Sequence, residues 1–149
     1  MSTRNLTSIH GRRLGITIKG NLVANGIQIT RPCVDASITV GDEDTNVRAI
    51  TIQLKDAKGA DIDYVETVEI IMYASAAMTA FATTGGSTGI AIGTDGALLA
   101  VVAKKVFLAT SEADGDIDLT WTDTGTESVA LGLRLPTGRI VITSAFANA

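Results

Sequence analysis

Residues 116–122 read DIDLTWT, in which polar and apolar side chains alternate without a break. Because successive side chains of an extended strand point to opposite faces, this alternation predicts a strand with one buried and one exposed face. Three further rows have apolar residues at every second position: Ile50, Ile52 and Leu54; Val68, Ile70 and Met72; and Val129, Leu131, Leu133 and Leu135. The four rows together predict an all-β fold.

Short turn signals separate these rows. Asp95-Gly96 and Asp114-Gly115 are pairs that accept positive φ, so each is predicted to form a tight hairpin turn. Asn25-Gly26, Lys58-Gly59 and the Pro-Thr-Gly of residues 136–138 mark further turns. Strands joined at such short intervals predict an antiparallel β-sandwich or β-barrel. Little or no helix is expected, and only residues 74–82 and 111–114 could form short helical turns.

The composition excludes several classes of protein. The chain has 149 residues, 46% of them hydrophobic, which suits one folded domain with a core. A single cysteine, Cys33, excludes an intramolecular disulfide and every multi-cysteine zinc site, and a single histidine, His10, excludes HExxH metalloproteases. Residues 1–10 lack an apolar run, so no signal peptide is expected. The uncharged segment 70–94 is broken by glycines, so no membrane span is expected and the chain is predicted to be soluble.

Charge divides the chain into two parts. Residues 1–33 contain no acidic residue and have a charge of +5, while residues 34–149 contain 7 basic and 16 acidic residues, a charge of −9. The first part has short apolar pairs divided by glycines, which predicts an extended N-terminal arm, with residues 34–149 as the β-body. A basic arm on an acidic body predicts that the arm binds an acidic surface elsewhere. Its basic residues are Arg4, Arg12, Arg13, Lys19 and Arg31.

Two acidic segments are candidate metal sites. Asp114, Asp116 and Asp118 have the spacing of the opening of a calcium-binding loop, but Leu119 follows the third acid and Gly125 stands where such a loop ends in glutamate. A hairpin with solvent-facing aspartates is therefore the favoured interpretation. For the acidic segment 41–44 (GDED), a solvated loop is favoured over a metal site.

No catalytic site is predicted. The glycine-rich segment 85–89 (GGSTG) lacks the ending of a phosphate-binding P-loop and the spacing of a nucleophile elbow, so a flexible loop tip is favoured. Nothing in the spacing links His10 to a nucleophile, so it is interpreted as an ordinary imidazole. The chain is therefore predicted not to be an enzyme and to need no cofactor or metal. The basic arm has no aromatic residue, so nucleic acid is not the expected partner, and the adjacent Arg12 and Arg13 are expected to bind carboxylates of a protein.

Several phrases of the sequence resemble one protein family. HGRRLG (residues 10–15), GNLV (20–23) and GI (26–27) resemble the opening of small proteins encoded among the head genes of tailed bacteriophages. IQLKDAKG (52–59), IGTDGA (92–97) and SEADGDID (111–118) are similar to segments of capsid decoration (cement) and head-fibre proteins of that group.

The resemblance implies a virion structural protein on the outer surface of a capsid. Its β-domain would be anchored by the arm to the major capsid protein, beside neighbouring copies assembled as trimers or sometimes dimers. By this resemblance His10, Arg12, Arg13 and Leu14 lie in the anchoring arm, and the family brings no catalytic residue. Two alternatives stay open: a carbohydrate- or receptor-binding module of a phage head or tail fibre, and a hydrolase of unrecognised type.

Overall fold

The structure, a computed structural model, describes residues 23–25, 27–28 and 30–149. The chain falls into two compact units, Met1–Thr30 and Arg31–Ala149. In the first unit, strands β1 (Val23–Ala24) and β2 (Ile27–Gln28) form an antiparallel hairpin. Asn25 takes the left-handed backbone conformation between them, with φ 51°, as the Asn-Gly turn signal predicts. The rest of the predicted arm before Val23 lies outside the described residues.

The second unit is an antiparallel β-sandwich, which confirms the predicted fold class. Its strands are β3 (Asp35–Asp44), β4 (Val47–Lys55), β5 (Thr67–Tyr73), β6 (Gly89–Ile92), β7 (Ala97–Val102), β8 (Val106–Thr110), β9 (Asp116–Thr122), β10 (Ala130–Arg134) and β11 (Ile140–Ile142). One sheet has the order β3-β4-β9-β6, and the other has the order β11-β10-β5-β8-β7. Every strand pair is antiparallel.

The alternating rows of the sequence form the core between the two sheets. Strand β9 shows this most clearly, because Ile117, Leu119 and Trp121 are buried while the polar residues between them are partly exposed. The apolar residues of the other three rows are also buried. Burying such side chains contributes about 25 cal/mol per Å² of apolar surface, so this core is the main source of stability.

The two Asp-Gly pairs do not form the predicted hairpins. Asp95-Gly96 connects β6 to β7, and Asp114-Gly115 connects β8 to β9, so each pair passes from one sheet to the other. Both glycines have positive φ, 96° and 81°, which is the property that the sequence indicated. A Cβ at Gly115 would lie 2.5 Å from Ile62 Cγ1, so a glycine is needed here for close packing as well as for φ.

The hairpins within the sheets use other residues. The β3–β4 turn has Thr45 and Asn46 in the left-handed region, with φ 51° and 66°, the conformation that matches the twist of paired strands. The segment 41–44, predicted as a solvated loop, is instead the end of β3, where the register shifts between Val40 and Glu43. This prediction was wrong because a bulge lets a strand continue through a glycine and three acids.

None of the described residues is helical. The alanine-rich segment 74–82 folds back on β5, since the Ala82 N–H donates to the Met72 carbonyl and the Phe81 ring stacks on Tyr73 with centroids 6.4 Å apart. Among the described residues there is no helix long and apolar enough to cross a membrane.

Candidate functional site

Most of the residues predicted to bind a partner are outside the described part of the chain. Arg4, His10, Arg12, Arg13, Leu14 and Lys19 all precede Val23, so their places as candidate contacts stay predictions. Arg31 is the described member of the set, and it belongs to the sandwich unit rather than to the unit that precedes it.

Arg31 is bonded to the sandwich through its whole guanidinium group. Its Nε donates to Asp56 Oδ2 at 2.8 Å, one terminal nitrogen donates to Asp63 Oδ2 at 3.2 Å, and the other donates to the Asp61 carbonyl at 2.8 Å. The Tyr64 hydroxyl donates to the Arg31 carbonyl at 3.1 Å. Arg31 therefore fastens the first residues of the sandwich to the loop after β4.

Asp56 is the anion that this arginine neutralises. Its side chain is 3% exposed, and its Oδ1 also accepts the backbone N–H groups of Lys58 and Ala60. The hydrogen bond from Arg31, followed by those backbone bonds, holds the pKa of the Asp56 carboxyl below its usual value. The unit boundary places Arg31 in the sandwich. Residues 1–30 therefore have four basic and no acidic residues (+4), and residues 31–149 have eight basic and sixteen acidic residues (−8).

A cluster of three carboxylates lies where β6 leads into β7. Asp95, Asp116 and Asp118 bring one oxygen each within 4.8 Å of one another, and all three are partly exposed. The sequence favoured solvent-facing aspartates here, and its metal-site alternative used Asp114 with Asp116 and Asp118. In the structure the third carboxylate is that of Asp95, because the connection between sheets places Asp95 beside β9. Carboxylate oxygens are the ligands that hard cations prefer, so these are the described side chains best suited to a divalent cation.

Of the three carboxylates, Asp116 has the least favourable surroundings for a negative charge. Its Oδ1 is buried and has no hydrogen-bond partner among the described residues. Burial, and then the charge of Asp118, raise the pKa of the Asp116 carboxyl above its usual value. The folded protein therefore holds a proton on Asp116 at a pH where the unfolded chain has released it.

Asp116→Asn is expected to raise the Tm by about 2 °C at pH 7. With a raised pKa in the folded state, stability falls as pH increases through the interval between the unfolded and folded pKa values, and the ionised group destabilises fully above it. The asparagine removes this effect, so its advantage should disappear below the usual pKa of aspartate. Thermal unfolding from pH 3 to pH 8 measures the difference in Tm between the variant and the wild type. Asp42→Asn, at an exposed position, is the control. A variant no more stable than wild type at pH 7 would contradict the expectation.

The glycine-rich segment 85–89 surrounds a carboxylate of the protein itself. Glu127 accepts the backbone N–H groups of Thr84, Gly85 and Gly86 at 3.0, 2.9 and 3.2 Å, as well as the hydroxyl of Thr84. Burial alone would raise the pKa of Glu127, but the hydrogen bonds from Thr84 and Gly86 lower it overall. Converging amides of this kind bind anions. Here the anion is a side chain, so these amides are not available to a phosphate.

The same segment is packed into the sandwich. Gly85 and Gly86 are buried, and the Trp121 indole N–H donates to the Gly85 carbonyl at 3.0 Å. The predicted loop tip is therefore wrong in its position, because these glycines line the core around Trp121. Trp121 itself is completely buried, which removes the largest aromatic ring from any carbohydrate-binding surface.

The single cysteine of the chain lies in the core. Cys33 is 2% exposed, and burial raises the pKa of its thiol to about 11. At neutral pH the group is a neutral thiol, and a thiol is a poor nucleophile and metal ligand. Burial likewise raises the pKa of Tyr64 to about 12. Neither group is arranged for chemistry.

One surface was missed by the sequence analysis. Strand β7 exposes most of its apolar side chains, with Leu99 64%, Val101 58% and Val102 49% exposed. The signal was present in residues 97–103 (ALLAVVA), an uncharged run without alternation between Gly96 and Lys104. Such a run is expected for a strand buried on both faces, and here it lies at the edge of a sheet.

Comparison of this chain with protein-family models, with curated proteins and with solved structures found no match.

Proposed function

We propose that the chain is a capsid decoration (cement) protein. In this proposal it stabilises a phage head from the outer surface by binding the major capsid protein and neighbouring copies of itself. The sandwich is the body of the decoration, and the segment before it is the anchor. The proposal includes no catalytic step, cofactor, nucleic acid or membrane.

The division of charge carries the proposal. Residues 1–30 have a charge of +4 without a single acid, and the sandwich that follows has a charge of −8. Arg31 is paired with Asp56 and Asp63 inside the acidic unit, so the proposal rests on the four basic residues that precede it. A basic segment of this kind is attracted to an acidic surface, and arginine binds carboxylates in a bidentate manner.

The architecture supports the same function. A sandwich with a continuous apolar core keeps its shape without an intramolecular disulfide, which suits a repeated structural part. On a lattice, each copy that also contacts its neighbours gains avidity, so the interface of one copy need not be large. The sequence phrases that resemble phage head proteins point to the same setting.

Arg12→Glu/Arg13→Glu is expected to weaken binding to capsids at least tenfold, because reversal of two charges replaces attraction by repulsion at the anchor. The measurement is co-sedimentation of the full-length protein with heads of the phage that encodes it, stripped of this protein. The wild type should saturate the heads at a fixed number of copies. Its affinity should fall as salt increases.

The matched control is Lys58→Glu/Arg139→Glu, which makes the same charge change at two exposed positions of the sandwich. Equal loss of binding in both double variants would show that net charge, and not the anchor, controls the interaction. Undiminished binding of Arg12→Glu/Arg13→Glu would remove the basic segment from the mechanism. Absence of saturable head binding together with specific hits on a glycan array would favour the carbohydrate-binding alternative.

A further inference from the structure

We propose that β7 is the surface through which two copies of this chain pair. The two strands would lie edge to edge and antiparallel, so that two five-stranded sheets become one continuous sheet across a two-fold axis. This inference rests on the proposed function for its biological setting. Its test uses the isolated protein, so failure here is distinguishable from failure to bind capsids.

The edge of β7 is open for such pairing. On one side β7 pairs with β8, and no strand of the described residues pairs with the other side. Edge strands in monomeric proteins usually have charged residues or proline, which prevent pairing with other chains. Residues 97–102 have neither, although the register of β7 against β8 shifts between Ala100 and Val102. A six-residue edge of this composition is a template for strand addition.

The exposed apolar side chains lie next to this edge. Leu99 is opposite Leu108 of β8, and Val102 is opposite Val106, so these side chains share the outer face of the sheet. Leu108 is also exposed, at 39%. A contiguous apolar patch of this kind is typical of an interaction surface. Pairing at the edge would bring two such patches together and remove both from water.

The charges at the two ends of β7 favour a second copy in the antiparallel sense. Asp95 lies two residues before the strand, and Glu112 is at the same end, since its Oε1 accepts the Gly96 N–H at 3.3 Å. Lys104 and Lys105 follow the strand after Ala103, and the Lys104 ammonium also donates to the Ser87 carbonyl of its own copy. An antiparallel pair places the acidic end of each copy beside the basic end of the other, whereas a parallel pair opposes like charges. A two-fold axis repeats the favourable contact at both ends.

A basic peptide matches this edge less well than a second copy does. The residues before the sandwich have only positive charge, which suits the end at Asp95 and is repelled at the end with Lys104 and Lys105. The strand of a second copy matches both ends. We therefore place the second copy on this edge, and not the N-terminal segment.

The first experiment measures self-association of the isolated, full-length protein by sedimentation velocity over a range of concentrations. A reversible change from the mass of one chain to the mass of two is expected. Leu99→Lys/Val102→Lys should weaken the dimer roughly tenfold or more, because the lysines oppose each other across the axis. Val65→Lys is the control, since Val65 is 57% exposed and lies outside the sheet. Thermal unfolding checks that each variant is folded.

The second experiment exchanges the end charges. Asp95→Lys and Lys105→Glu should each weaken the dimer, and the double variant should restore it, because opposite charges again face each other. Within one copy the two residues flank a strand of about 20 Å, so they cannot restore each other there. The rescue is specific to contact between copies.

Four outcomes would overturn the proposal. The wild type could remain a monomer at every concentration. The Leu99→Lys/Val102→Lys variant could dimerise with the same affinity as the wild type. The charge exchange could also weaken association without any rescue in the double variant. An association abolished by Arg12→Glu/Arg13→Glu and unchanged by the charge exchange would place the N-terminal segment on β7 instead.

Discussion

Gly85→Ala is expected to reduce the free energy of unfolding by about 3 kcal/mol or more. Gly85 has φ 76°, a conformation that an L-residue adopts at a cost of about 1–2 kcal/mol. A Cβ there would lie 2.1 Å from the Lys104 carbonyl oxygen, which is backbone and cannot rotate away. Movement of Gly85 would also disturb the bonds from its N–H to Glu127 and from Trp121 to its carbonyl.

The measurement is equilibrium unfolding in urea, with the midpoint and slope determined for each variant. Gly59→Ala is the matched control, because Gly59 has nearly the same φ, 78°, and a Cβ there meets no atom within 4 Å. Its cost should be the conformational part alone, about 1 kcal/mol. Equal losses in the two variants would show that the contact with Lys104 is relieved at little cost.

Asp123→Ala is expected to destabilise the protein by about 2–4 kcal/mol. The buried carboxylate accepts the N–H groups of Ser87, Gly125 and Glu127 at 2.9, 3.2 and 3.2 Å. Truncation leaves these donors without an acceptor in a site that is 3% exposed. The loss should be large because Asp123 holds the loop after β9 against the segment 85–89, which packs on Trp121.

Asp123→Asn should fall between wild type and Asp123→Ala, since one oxygen remains to accept. The exposed Asp42→Ala controls for the loss of one negative charge and should change the midpoint little. Urea unfolding followed by the fluorescence of Trp121 measures both, because the only tryptophan lies at this site. An Asp123→Ala variant as stable as Asp42→Ala would show that water replaces the carboxylate.

The strands were predictable from the sequence where one face is buried and the other is exposed to solvent. The alternation in β4 and β9 reads directly from the sequence, because each apolar side chain of those rows points into the core. Strand β7 does not alternate, and its apolar run therefore gave no indication of its place at an edge. The local pattern of apolar and polar residues indicates which side chains are buried. Burial of the β7 side chains depends instead on what pairs with that strand.

The turns illustrate a second limit. An Asp-Gly pair signals positive φ, and Gly96 and Gly115 do have it. That local requirement is the same whether the next strand joins the same sheet or the opposite one, so the sequence did not distinguish a hairpin from a connection between sheets. Gly85 and Glu127 are 42 positions apart, and their contact likewise depends on the three-dimensional fold.

The cluster of Asp95, Asp116 and Asp118 was not predicted as a site, because the sequence favoured solvent-facing aspartates at positions 114, 116 and 118. The spacing of Asp116 and Asp118 placed two carboxylates on one strand face, as observed. Asp95 joins them only through the connection between β6 and β7. The basic set was predicted from charge alone, and Arg31 differs from the rest because its partners Asp56 and Asp63 lie far along the chain.

The burial of Cys33 has a practical consequence for labelling. The only sulfhydryl of the native protein is shielded, so maleimide reagents added at neutral pH will attach to a cysteine engineered on the surface and leave Cys33 unmodified. A fluorophore can thus be placed beside β7 without first removing the natural cysteine. Because unfolding uncovers Cys33, a second equivalent of bound dye reports the fraction of chains that have opened.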